Sequence, residues 1–135
     1  MPATSTAALP ALTTLIALLL YFVVTINVGR ARVKYKIEAP AVTGHPDFER
    51  AYRVQMNTLE QMIAFLPALW LFAAYVSGPW ASALGALWIA GRALYAVGYY
   101  RAAEKRGAGF GIAALAFVAL WLGAAWGVVR TLLQG

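Results

Sequence analysis

The chain contains no cysteine, one histidine and five acidic side chains in 135 residues. Without cysteine it can form no disulfide, no thiolate metal site and no cysteine nucleophile. The single His45, between Gly44 and Pro46 in a turn-forming stretch, leaves no ligand set for a metal, so none is expected. Charge of either sign is scarce, at 12% of residues, against about 25% in soluble globular domains. It is also bunched: Met1–Gly29, Gln61–Gly91 and Gly107–Val129 carry no charged side chain. No internal repeat, low-complexity tract or glycine-rich phosphate-binding loop appears.

What is present is hydrophobic length. A membrane-crossing helix takes about 20 largely apolar residues. The first and last uncharged runs hold one such helix each. The middle run is longer and is cut by Ser77-Gly78-Pro79-Trp80, a turn signal that makes it two. The reading is an all-α integral membrane protein, a single domain over residues 1–135. It forms a bundle of four transmembrane helices near 7–29, 47–76, 80–105 and 110–133. The first apolar run has no Lys or Arg before it and is too long for the core of a signal peptide, so it is expected to persist as a helix.

Eleven Lys and Arg against five acids give a net charge of +6. Their placement speaks of topology rather than nucleic acid. Arg30, Arg32, Lys34 and Lys36 follow the first helix, Arg101, Lys105 and Arg106 follow the third, and the second connection is uncharged. The positive-inside rule therefore puts the first and third connections in the cytoplasm and both termini outside. A basic rim also attracts lipid headgroups, by about 1 kcal/mol per Lys or Arg near the surface.

The rim does not explain Arg53 and Arg92, which are carried into helices. On a helical wheel Arg50, Arg53, Asn57, Glu60 and Ala64 share one face of the second helix, and Gln55 points roughly the opposite way. On the third, Trp88, Arg92, Tyr95 and Tyr99 share a face, joined by Ala102 and Arg106 if the helix runs that far. Ionisable groups at membrane depth are expensive, so they face protein or water. Two accounts compete. Arg53 or Arg92 pairs with Glu60 and Asn57 to join helices, or the stripes receive a ligand. Arg50, Arg53, Arg92 and Arg106 outnumber the acids that face them, which suits an anion, because arginine grips carboxylates with two parallel N–H donors. On physics alone Tyr95 and Tyr99 read as core or interfacial-belt tyrosines.

These residues resemble the membrane-associated proteins in eicosanoid and glutathione metabolism, the MAPEG family. It includes microsomal glutathione transferases, leukotriene and prostaglandin synthases, and a non-enzymatic lipid-binding relative, the lipoxygenase-activating protein. The likeness rests on Gly44-x-x-x-Phe48-Glu49-Arg50-x-Tyr52-x-x-Gln55-x-Asn57 followed by Glu60, and on Arg92-x-x-Tyr95-x-x-Gly98-Tyr99 followed by Arg106. It implies a homotrimer with glutathione bound between subunits and open to the cytoplasm. By that resemblance Arg53, Asn57, Glu60, Tyr95 and Tyr99 hold the tripeptide, and Gln55 reaches the site of the adjacent subunit. Arg32 contacts a glutathione carboxylate, a role that passes to Arg30 if the alignment slips by two residues. Arg106 stands where transferase members carry the arginine that stabilises the thiolate. Ala51 and Thr58 replace the Val and Cys of the synthase signature. Gln61 replaces a tyrosine of the leukotriene synthases, which turns the likeness toward general transferases.

Such chemistry suits a chain with no nucleophile of its own. Glutathione supplies a thiol of pKa near 8.5, and neighbouring cations lower it. The expected activity is a membrane-bound glutathione transferase, with reduction of lipid peroxides as a second outcome of the same thiolate. The expected partners are glutathione as co-substrate, a lipophilic electrophile arriving from the bilayer, membrane lipid and further copies of the chain, with no nucleic acid. The alternative is a non-catalytic lipid-binding protein like the lipoxygenase-activating relative. By resemblance that protein lacks the Asn-x-x-Glu pair that Asn57 and Glu60 supply here, and the arginine at Arg106. A small four-helix drug exporter would carry a glutamate in its first helix, where this chain offers only Asn27.

Overall fold

The computed structural model describes residues 5–135. Four helices follow in order: α1 (Ser5–Tyr35), α2 (Pro46–Tyr75), α3 (Gly78–Arg101) and α4 (Gly107–Gln134). Each contains a segment long and apolar enough to cross a membrane, and a short 3-10 turn, Ala103–Arg106, links α3 to α4. The protein is an all-α, multi-pass integral membrane protein built as a four-helix bundle.

α1 continues six residues past the end expected from charge. Its 31 residues reach about 46 Å at 1.5 Å per residue, beyond the roughly 30 Å of a hydrocarbon core. Arg30 to Tyr35 are acceptable helix formers that have simply left the lipid. α3 does the reverse and stops four residues short of the expected 105.

The α1–α2 connection is shaped by two left-handed residues, Lys36 at φ 55° and Gly44 at φ 144°. Glycine is needed at 44 on both counts, since a Cβ there would also press on Ile37 Cδ1 at 3.0 Å. His45 then caps α2, its Nδ1 accepting from the Asp47 N–H at 3.1 Å. Pro46 opens the helix, and Asp47 and Glu49 complement its positive N-terminal end. Between α2 and α3, the Ser77 hydroxyl accepts from the Trp80 N–H at 3.2 Å and starts the next helix at once.

The largest buried cluster is apolar and joins all four helices through Ala17, Phe65, Leu69, Trp88, Ala116 and Leu120. At its centre the Phe65 and Trp88 rings lie parallel, with centroids 3.9 Å apart. Leu15, Leu19 and Phe22 on α1 and Leu115 and Leu122 on α4 are exposed, a surface that suits lipid rather than water. α3 and α4 approach to backbone contact. A Cβ on Gly109 would overlap the Tyr95 nitrogen, and one on Gly91 would lie 2.6 Å from the Ala113 nitrogen. Only glycine permits that spacing, and it fixes where α4 begins relative to Tyr95.

Candidate functional site

Polar chemistry gathers at the end of the bundle where α1 and α3 finish. Arg92 lies on α3, one turn from Trp88, and is only 1% exposed. Its Nη2 donates to Asn57 Oδ1 and to Thr58 Oγ1 on α2, at 2.9 Å each. Its Nε has no hydrogen-bond partner. The guanidinium carbon sits 4.1 Å from the Tyr95 ring centroid, within the range of a cation–π contact. Tyr95 meets Tyr99 edge to face at 5.5 Å. Arg106 completes the series, its guanidinium carbon 5.4 Å from the Tyr99 ring centroid. The result is a column that alternates cation and ring: Arg92, Tyr95, Tyr99, Arg106.

No carboxylate balances this column. Among the described residues the one ion pair is Arg50 with Asp47, at the start of α2. Glu60 and Arg53 are exposed on α2 and form no ion pair there. The helix-joining account is therefore half right: Arg92 does join α2 to α3, through Asn57 and Thr58, but Glu60 takes no part. Asn57 is half-buried with its carbonyl oxygen engaged by Arg92, which leaves its amide N–H groups to donate elsewhere.

Three expected positions fall outside the column. Gln55 faces α1, its Nε2 donating to Thr25 Oγ1 at 3.3 Å. Arg32 closes the α1–α2 connection, donating to the Ala41 carbonyl at 2.8 Å and lying 4.9 Å from the Phe48 ring centroid. Arg30 points to another flank. There it lines an open groove of about 490 Å³ with Lys34, Asp47 and Tyr100, floored by a hydrogen bond from Asn27 Nδ2 to the Tyr100 hydroxyl at 3.1 Å.

Two features escape a reading of the sequence. Thr58 passes for a minor exchange of small side chains, yet it is 1% exposed and supplies half of the acceptor set of Arg92. The route to Arg106 also differs from the helical wheel. α3 ends at Arg101, Ala102 is extended with φ −165° and ψ 141°, and the 3-10 turn folds back to bring Arg106 over Tyr99. Continuation of the helix is not what places Arg106 there.

The sequence is similar to known proteins over most of its length. The MAPEG family matches residues 10–126. The uncharacterized protein sll1147 of Synechocystis is 54% identical over 93% of this chain and 91% of its own length. Human microsomal glutathione S-transferase 2 is 41% identical over 81% of this chain and 74% of its own length. Leukotriene C4 synthase of Cavia porcellus is 37% identical over 73% and 66%. A match across that much of the sequence, with the fold described above, settles the ancestry: the chain belongs to the MAPEG family.

Proposed function

We propose that the protein is a membrane-bound glutathione transferase. It ionises glutathione and directs the thiolate at lipophilic electrophiles that enter from the bilayer. The observation that carries this reading is the uncompensated guanidinium–tyrosine column beside Asn57, with Arg53 and Arg106 lacking any carboxylate within ion-pair distance among the described residues. Glutathione brings two carboxylates, one ammonium and a thiol. That inventory complements surplus arginine together with Glu60, which follows Asn57 by three residues on α2. Relatives named glutathione S-transferase and leukotriene C4 synthase support the same co-substrate.

In this reading Arg53, Asn57, Tyr95 and Tyr99 hold the tripeptide, Glu60 receives its ammonium, and Arg106 stabilises the sulfur anion. Asn57 can act only as a donor, because Arg92 holds its carbonyl oxygen. For conjugation the thiol proton leaves to water, a carbon–sulfur bond forms, and the electrophile's leaving group departs with its electron pair. With a lipid hydroperoxide, two glutathiones give a disulfide while the peroxide becomes an alcohol and water.

The site is shared in a homotrimer. Gln55 turns to Thr25 on α1 and Arg32 to the α1–α2 connection, neither joining the Arg92 column, which suits them to a neighbour's glutathione rather than their own. Charge puts both termini outside and the glutathione site on the cytoplasmic side. The test is turnover by detergent-solubilised protein supplied with glutathione and either an aryl halide or a lipid hydroperoxide. Glutathione-dependent consumption of one of them is expected. Glutathione binding without turnover of any electrophile would leave the lipid-binding alternative in its place.

A further inference from the structure

We infer that Gly98, which has no side chain to offer a ligand, positions Arg106: it lets the Ala103–Arg106 turn lie against α3 and so holds the guanidinium over Tyr99. This rests on the thiolate-stabilising role given to Arg106 above.

The argument is one of space. A Cβ on Gly98 would overlap the carbonyl oxygen of Lys105, with the carbonyl carbon at 3.0 Å. These are backbone atoms, which cannot swing aside as the tip of a side chain does. The turn is also tied on both sides. The Ala102 N–H donates to the Gly98 carbonyl at 3.0 Å, and the Lys105 N–H donates to the Ala102 carbonyl at 3.0 Å. Beyond it α4 starts at Gly107, and Gly109 is fixed against the Tyr95 backbone. A methyl at 98 must therefore push the turn away from α3. Arg106 moves with it, because its Nη1 donates to the Ala103 carbonyl at 2.6 Å, inside the same turn. Among the described residues, the guanidinium is held at Tyr99 by the ring alone.

The experiment is a double-mutant cycle on the full-length protein: wild type, Gly98→Ala, Arg106→Ala and the double variant. Three quantities are read: glutathione affinity by calorimetry, ultraviolet absorbance of bound thiolate near neutral pH, and turnover of an aryl halide against pH. Gly98→Ala should bind glutathione nearly as well as wild type and lose the thiolate absorbance. Its turnover should fall by up to about 10²-fold, the scale of a displacement of roughly 1 Å at a reacting centre, and recover at alkaline pH as the thiol ionises unaided. The double variant should be no slower than Arg106→Ala, the mark of two residues acting through one group. Gly111→Ala is the control, since a Cβ there meets nothing within 4 Å.

Because a methyl at Gly98 also strains the α3–α4 junction, a second variant leaves α3 untouched. One glycine inserted between Ala103 and Glu104 displaces Arg106 along the turn and carries the same expectation. Full thiolate signal and rate in either variant, beside their loss in Arg106→Ala, overturns the role of Gly98 alone. Losses that multiply in the double variant do the same. If Arg106→Ala itself keeps signal and rate, the role of Arg106 falls first.

Discussion

Trp88 and Arg92 stand one turn apart on the same face of α3, and each is 1% exposed. Their surroundings have nothing else in common. Trp88 stacks on Phe65 inside an apolar cluster drawn from all four helices. Arg92 is held by two oxygens of α2 and a tyrosine ring, with its Nε–H buried and unpartnered. The first needs only shape. The second needs particular atoms, and a buried cation persists only where several groups share its cost. Equal burial thus separates a packing half of the bundle from a chemical half.

Substitutions at three positions test that division, in decreasing order of their effect on stability. Trp88→Ala should cost about 3–5 kcal/mol, as large-to-small changes in a close-packed core do. Unfolding followed in detergent would measure it, and Trp88→Phe should recover most of the loss. A cost under about 1 kcal/mol would show that the apolar half is loosely packed. Thr58→Val should cost about 1–3 kcal/mol, because it leaves a buried guanidinium with one acceptor where it had two. Arg92→Met removes the buried charge but leaves Thr58 Oγ1 and Asn57 Oδ1 without their donor, so the two effects offset and stability should fall by about 1 kcal/mol at most. Glutathione affinity should nonetheless fall, since Asn57 loses the donor that orients its amide. Stability and binding both intact in Arg92→Met would reduce Arg92 to a replaceable strut and erase the contrast with Trp88.

The architecture was legible because lipid constrains it: uncharged length marks each span, and Ser77-Gly78-Pro79 marks the break between α2 and α3. The grouping of Arg92, Tyr95 and Tyr99 followed from helical periodicity. Helix ends were harder, for two different reasons. Charge at Arg30 marks the edge of the lipid but says nothing against further helix, so α1 runs on to Tyr35. The stretch Arg101-Ala102-Ala103-Glu104-Lys105-Arg106 is composed of good helix formers, yet α3 stops at Arg101. There the close packing of the next segment on Gly98 overrides local preference, and no local pattern reports a contact between distant backbones. Thr58 was missed for a related reason: a short hydroxyl beside Asn57 gains meaning only when a guanidinium from another helix reaches it.

The glycine contact between α3 and α4 also sets a clock. The Tyr95 amide is hydrogen-bonded within its own helix and roofed by the backbone at Gly109. Deuterium can reach such an amide only when two helices part, an opening that demands far more than the fraying of one end. Exchange should therefore be slowest along Gly91–Tyr95 and fast at the Ala103–Arg106 turn. One end of the cation–ring column is then renewed on the timescale of whole-molecule unfolding, and the other on that of a loop. On the transferase reading proposed above, the slow end would keep the shape of the site from one turnover to the next, while the fast end would be the one to let a product go.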